Sequence, residues 1–217
     1  MRRPRTRIQE REEMKPSIIR VCGSVVAAGG ITWGAAFLFS PSSPERNSQI
    51  EIWASAVFQL GLLALLATMW ATAATGTGRW GRGILAAEAV ALVLAGMWTA
   101  PYVFDADRPS TGILVVLDAF WPLSMAGLIA VGFLVMRARR WPTPTRYLPL
   151  AASLLIPVDI AVSWAPAGLR SAVTGLYLAL AYGLLGLMMI RDSASLSRRA
   201  PNRPGDVQPA PGAPPLA

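Results

Sequence analysis

The stretch VCGSVVAAGGITWGAAFLF, residues 21–39, decides the class of this chain, because it carries no charged side chain over 19 consecutive positions. A hydrocarbon core of about 30 Å requires about 20 apolar residues in a helix that rises about 1.5 Å per residue. The stretch is too far from the N-terminus for a secretory signal peptide, and Ser40-Pro41 is a poor cleavage site. We therefore predict a retained transmembrane helix.

Five further segments have a similar length and character: residues 52–75, 83–104, 111–136, 147–165 and 171–190. The segment 147–165 is the weakest of them, because Pro149, Pro157 and Asp159 all disfavour a continuous apolar helix. Composition agrees with a membrane protein, since 53% of residues are hydrophobic and 15% charged, against about 25% charged in soluble domains. The predicted fold is an all-α, polytopic integral membrane protein with six transmembrane helices.

The basic residues predict the orientation of these spans. Seventeen of the twenty lie on one side, in the N-terminal tail with Arg20 and in the loops and tail around Arg79, Arg137 and Arg191. The other side holds Arg46, Arg108 and Arg170. Because cytoplasmic loops are enriched in Lys and Arg, both termini are expected in the cytoplasm of a cell (inner or plasma) membrane protein.

Composition also divides the chain into three parts. Residues 1–17 are predicted to be a disordered basic cytoplasmic tail, and residues 18–192 the six-helix transmembrane domain. Residues 193–217 are rich in Ser, Pro and Ala and are predicted to be a disordered cytoplasmic tail, because they cannot bury enough apolar surface to fold.

Several chemistries are excluded by what the sequence lacks. The chain has no histidine, a single cysteine (Cys22) and no lysine within a span. These absences argue against haem-b carriers, zinc proteases, serine–histidine hydrolases and retinal proteins, and no metal or cofactor is expected. The net charge of +8 is assigned to contact with the bilayer and its anionic lipid headgroups, and no nucleic acid partner is expected. Abundant Arg and Ala are typical of a GC-rich bacterial genome.

Two glycine patterns are interpreted as packing devices. Residues 76–81, GTGRWG, match the spacing of a dinucleotide-binding loop, but they join two predicted membrane helices rather than a strand and a helix, which favours a tight turn. Gly30 and Gly34 form a GxxxG step in the first span, extended upstream by Gly23 and Ala27. This step is expected to pack against another helix of the same molecule rather than to form a dimer.

Three carboxylic acids lie within predicted spans: Glu88, Asp118 and Asp159. An ionisable group at membrane depth costs about 2.5 to 3.5 kcal/mol on insertion scales, so its presence indicates a cavity, a partner or a function. No basic residue lies inside a predicted span to pair with them, and protonated forms are therefore expected. Asp118 and Asp159 lie at similar depth from the outer surface, which predicts one shared cavity; Glu88 belongs to a different layer, near the inner face.

Aromatic residues and prolines gather in the outer half of the same spans. Trp121 follows Asp118 by three residues, Trp164 follows Asp159, and the third span contributes Trp98 and Tyr102. These six residues are the predicted ligand site: Asp118, Asp159, Trp121, Trp98, Tyr102 and Trp164. An acidic aromatic pocket suits a small cation or amphiphile through charge and cation–π contact. The alternative is an interfacial aromatic belt in which the carboxyls only support packing.

Three functions follow from these observations. The first is binding or transport of a small amphiphile or cation at the outward-facing site. The second is a metal-free membrane enzyme in which a protonated aspartic acid is the general acid, as in terpene-cyclase-like chemistry. The third is a scaffold or assembly partner without a ligand. The first function, which is not enzymatic, is the leading interpretation.

Overall fold

The structure, a computed structural model, describes residues 14–40 and 48–198, and all regular structure in these ranges is helical. The helices are α1 Pro16–Phe39, α2 Gln49–Ala71, α3 Arg79–Phe104, α4 Ile113–Asp118, α5 Phe120–Ala138, α6 Leu148–Ser153, α7 Leu155–Ala161, α8 Ala167–Arg191 and α9 Ser193–Arg198. Helices α4 and α5 form one apolar unit, Ile113–Ala138. Residues 1–13, which belong to the predicted N-terminal tail, lie outside the described ranges.

Five of the predicted spans are confirmed as helices long and apolar enough to cross a membrane: α1, α2, α3, α4 with α5, and α8. Their outward faces are apolar. On α8, for example, Leu176, Leu180, Leu184 and Leu187 are exposed at helical spacing. A contiguous apolar stripe of this kind faces lipid in a membrane protein, and the chain is accordingly a multi-pass membrane protein.

Helices α1 and α8 are antiparallel and meet at five glycines, Gly23, Gly30, Gly34, Gly175 and Gly186, which we call the glycine seam. A Cβ on Gly34 would lie 2.4 Å from the Gly175 carbonyl oxygen, and a Cβ on Gly186 would lie 2.3 Å from the Gly23 carbonyl oxygen. Only glycine permits so close a backbone approach. The packing predicted for Gly34 within one molecule is confirmed. Because the helices are antiparallel, the start of α1 at Pro16 and the end of α8 at Arg191 lie at the same end of the bundle.

The segment predicted as the fifth span, residues 147–165, differs from the other five because it forms two short helices. Helix α6 ends at Ser153 and α7 begins at Leu155, with Leu154 at φ −79°, ψ 19° between them. Pro157 lacks the backbone N–H that would bond to the Ser153 carbonyl in a continuous helix, which explains the break. The interrupted segment runs antiparallel to α8, since the Tyr177 hydroxyl donates to the Ala151 carbonyl and the earlier Arg170 bonds to the later Asp159. On its other side, Leu150 packs on Gly132 of α5.

The beginning of the predicted C-terminal tail is also ordered. Residues Ser193–Arg198 form α9, and Leu196 is fully buried. The Ser197 hydroxyl donates to the Met14 carbonyl at 3.0 Å, and Arg20 Nε donates to the Ser193 hydroxyl at 3.1 Å. The predicted tail boundary at Ser193 is therefore wrong by at least six residues, because a buried leucine and two hydrogen bonds attach α9 to the bundle next to α1. The remainder of that tail, residues 199–217, lies outside the described ranges.

The GTGRWG motif, residues 76–81, covers the end of the connection between α2 and α3 and the first residues of α3. Gly76 adopts φ +94°, which L side chains rarely adopt, and Gly78 is the N-cap of α3. A helix precedes the motif, so the strand–loop–helix context of a dinucleotide-binding loop is missing, as the sequence indicated.

Candidate functional site

A cavity of about 600 Å³ opens between α1, α5, α7 and α8. We call it the ion-pair cavity. Its lining is contributed by four separate helices and comprises Trp33, Phe37, Trp121, Pro122, Met125, Leu155, Ile156, Asp159, Ala167, Arg170, Ser171 and Thr174. The volume lies within the range of about 300 to 1,000 Å³ that is usual for small-molecule sites.

One wall of the cavity is aromatic and aliphatic. The rings of Trp33 and Trp121 lie 5.2 Å apart, and Trp33 also contacts Phe37 at 5.4 Å. On the side of α2, the ring of Trp33 packs on Phe58 with 4.7 Å between centroids. Its indole N–H is buried without a hydrogen-bond partner among the residues that the structure describes. This wall can receive an apolar chain.

The opposite wall is polar and holds an ion pair. Arg170 Nε donates to Asp159 Oδ1 at 2.9 Å, and its Nη2 donates to Asp159 Oδ2. Thr174 Oγ1 donates to the same Oδ1 at 3.0 Å. The side chains of Arg170 and Asp159 are 46% and 30% exposed, so a ligand can reach both charges. The pair forms because α7 and α8 are antiparallel neighbours and α8 already begins at Ala167.

This pairing corrects one expectation drawn from the sequence. Arg170 was assigned to a loop, and Asp159 was expected to have no basic partner and to be protonated. In the structure the guanidinium lies in the first turn of α8 and holds the carboxylate in two hydrogen bonds. Such a pair favours the ionised form of Asp159.

The six residues predicted to bind a ligand do not form one site in the structure. Asp159 and Trp121 line the ion-pair cavity. Asp118 is exposed at the end of α4 and does not line it. Trp98 and Tyr102 contact each other with tilted rings, 4.8 Å between centroids, in a second cluster with Leu114 and Leu117. Trp164 is 82% exposed. The structure thus joins one of the two aspartates to one of the four aromatics.

Four important cavity residues were not predicted: Trp33, Met125, Arg170 and Thr174. The signal for Arg170 was present in the sequence. Asp159 and Arg170 lie near the facing ends of consecutive spans joined by a short loop, and such a connection brings opposite charges together. Trp33, Met125 and Thr174 gave no comparable signal, because they belong to otherwise ordinary apolar helices.

Glu88 stands apart from the cavity. It is buried between α3 and α5, and no residue of the ion-pair cavity lies on α3. Within residues 14–40 and 48–198, no group of three or more His, Cys, Asp or Glu side chains is gathered that could hold a metal ion.

Comparison with known proteins adds no identification, since no family model, no curated protein and no solved structure matches this chain. Function must therefore be argued from the cavity itself.

Proposed function

We propose that this protein binds a small amphiphile in the ion-pair cavity and transports it or presents it at the membrane surface. The observation that carries the proposal is one cavity with two unlike walls. One wall is aromatic and aliphatic around Trp33 and Trp121, and the other presents the Asp159–Arg170 pair. An amphiphile satisfies both walls, with its chain on the first and its head group on the second.

The ion pair restricts which head groups can bind in the cavity. A simple cation would have to compete with Arg170 for the Asp159 carboxylate, and a simple anion would have to compete with Asp159. A dipolar head group matches both charges at once, because its ammonium can approach Asp159 while its anionic group approaches Arg170. We therefore favour a zwitterionic amphiphile over the simple cation that the sequence also allowed.

The other two functions gain less support from this geometry. A general acid must carry a proton to give, whereas the carboxylate of Asp159 accepts two hydrogen bonds from a guanidinium. A scaffold requires no cavity, although the exposed apolar surface is compatible with one.

The proposal includes a topology. We propose that α6 and α7 together make the sixth crossing and that both termini lie in the cytoplasm, as the distribution of basic residues predicts. An interrupted helix is tolerated at membrane depth where it borders a polar cavity, and α7 borders this one. Reporter fusions after Arg140 and Gly168 should report opposite sides of the membrane. The same side for both would remove the sixth crossing.

Binding measurements on the purified protein in an uncharged maltoside detergent test the function. The probes are four compounds with the same alkyl chain and different heads: phosphocholine, trimethylammonium, sulfate and hydroxyl. The phosphocholine compound should bind most tightly. Asp159→Asn and Arg170→Gln should each weaken it about ten-fold or more, because a hydrogen bond to a charged group contributes about 1.5 to 3 kcal/mol.

Asp118→Asn is the matched control, since it makes the same chemical change on an exposed carboxylate outside the cavity. It should bind like the wild type. Equal affinity for all four probes, or equal losses in Asp118→Asn and Asp159→Asn, would refute a dipolar site at the ion pair.

A further inference from the structure

Glu88 is an acidic side chain enclosed within the bundle. It lies in α3, nine residues after the first residue of that helix, which is about 14 Å along the axis at about 1.5 Å per residue. Glu88 is only 4% exposed. Its Oε1 atom is buried without a hydrogen-bond partner among the residues that the structure describes.

The carboxyl group of Glu88 packs directly on the backbone of α5. A Cβ on Gly127 would lie 1.9 Å from Glu88 Oε2, so the carboxyl occupies the space that a side chain at position 127 would fill. On α3, Leu85 and Leu92 lie one turn to either side of Glu88, and both are buried. The site is thus closed by packing, without a polar partner for Oε1.

Within residues 14–40 and 48–198, no cation forms an ion pair with Glu88. The described ion pairs are Arg170 with Asp159 and Arg191 with Asp192, and neither involves it. Helices α2 and α4 also pack on α3. The charged residue of α2 is Glu51 and that of α4 is Asp118, and both lie near the end of α3 that is far from Glu88. Helix α5 contains Arg137, ten residues from Gly127 and about 15 Å along the axis.

Two further groups complete the electrostatic surroundings of Glu88. Arg82, on α3 itself, is exposed and lies six residues before Glu88. The ionisable group within electrostatic range of Glu88 on α8 is Tyr182, itself an acid. An ionised carboxylate here would lack both a hydrogen bond at Oε1 and a counter-charge, and a buried charge without either is strongly disfavoured.

We propose that Glu88 is a proton-binding site within the membrane. It holds its proton at neutral pH while α3 packs on α5, and it releases the proton when the two helices separate or water enters between them. The ligand of this site is the proton, and nothing in the ion-pair cavity is needed to form it. Proton binding thereby links the packing of α3 against α5 to pH.

Helix α5 also carries Met125, which lines the ion-pair cavity two residues before Gly127. A shift of α5 on proton release would therefore alter the cavity wall. This coupling rests on the function proposed above, whereas the proton site does not.

Infrared spectroscopy of the full chain in an ester-free maltoside detergent tests the proton site without any ligand. At pH 7 the wild type should show the carbonyl stretch of a protonated carboxylic acid, and Glu88→Gln should lack it. Incorporation of ¹³C-carboxyl glutamate should shift the band in the wild type, which assigns it to a glutamic acid even where the Gln variant folds poorly. Absence of the band at pH 7, or its persistence in well-folded Glu88→Gln, would overturn the proposal.

Gly127→Ala tests the packing on which the site depends. The added methyl would overlap Oε2, so the band should shift or vanish. Gly83→Ala is the control, since a Cβ there meets no atom within 4 Å, and its spectrum should match the wild type. An unchanged band in Gly127→Ala would show that the carboxyl is not held against α5.

Discussion

Helix α8 borders two regions of opposite character. Toward α1 it forms the glycine seam, in which a Cβ on Gly34 or Gly186 would fall within 2.4 Å of a backbone oxygen. Toward α7 and α5 it forms the ion-pair cavity of about 600 Å³. Only four residues along α8 separate Thr174, which lines the cavity, from Ala179, which packs on Gly34.

One helix can therefore contribute to stability on one side and, under the function proposed above, to binding on the other. Glycines let two complete helices approach until no space is left between them. Prolines and a broken helix prevent such an approach, and polar groups line part of the space that remains.

Gly34→Leu should have the largest effect, because a leucine side chain cannot fit where even a Cβ would contact the Gly175 carbonyl oxygen. We expect loss of the folded monomer or a fall of several kcal/mol, beyond the roughly 1 to 3 kcal/mol usual for overpacking. Thermal unfolding in detergent measures it. Ala28→Leu is the control, since Ala28 is exposed on the same helix. A stable Gly34→Leu monomer formed from a wild-type dimer would instead make the seam an oligomer interface.

Substitution of Leu196 tests whether α9 stabilises the fold at the end of the glycine seam. Its side chain is fully buried, so Leu196→Ala should cost about 2 to 5 kcal/mol of unfolding free energy. A chain ending at Ser195 should lose a comparable amount, whereas a chain ending at Arg198 should keep wild-type stability. Equal melting temperatures for the two truncations would mean that α9 adds nothing to the fold.

Gly186→Ala tests the seam with the smallest added group. Its Cβ would lie 2.3 Å from the Gly23 carbonyl oxygen and 2.6 Å from the Ala27 nitrogen, and both are backbone atoms. We expect a loss of about 1 to 3 kcal/mol. Gly183→Ala, one turn away, would meet only the Ile31 side chain at 3.5 Å and should be neutral or slightly stabilising. Indistinguishable melting curves for the two alanine variants would contradict a close-packed seam.

Arg170→Gln should have the smallest effect on stability. Exposed ion pairs contribute about 1 kcal/mol or less, and Arg170 is nearly half exposed. The same variant should nevertheless weaken binding of the phosphocholine probe about ten-fold. A large loss of stability without a loss of affinity would make the pair a structural element rather than part of a binding site.

The sequence predicts much of this fold because the determining signals are local. Uninterrupted apolar length locates α1, α2, α3 and α8, and the GxxxG step marks the face of α1 that forms the seam. Pro149, Pro157 and Asp159 marked residues 147–165 as the weakest span, and this is the predicted span that forms only two short helices, of 6 and 7 residues.

The candidate site was harder to predict because it depends on contacts between helices. Helical spacing suggested that Asp118 and Trp121 share a face, yet only Trp121 lines the cavity. The contact between the Glu88 carboxyl and Gly127 depends on the register between α3 and α5. The sequence of either helix alone does not determine that register. Arg170 was misassigned because α8 begins four residues before the predicted span.

Thiol accessibility on α8 tests the contrast between cavity and seam most directly. In a Cys22→Ala background, Ser171→Cys and Ala179→Cys are exposed to a charged, membrane-impermeant thiol reagent added from outside. Ser171 lines the cavity from α8 and is partly exposed. If the cavity admits water and the seam excludes it, Ser171→Cys should react at least about ten-fold faster, and the phosphocholine probe should slow its reaction. Equal rates at the two positions, or an unreactive Ser171→Cys in a well-folded protein, would contradict an open binding cavity beside a closed glycine seam.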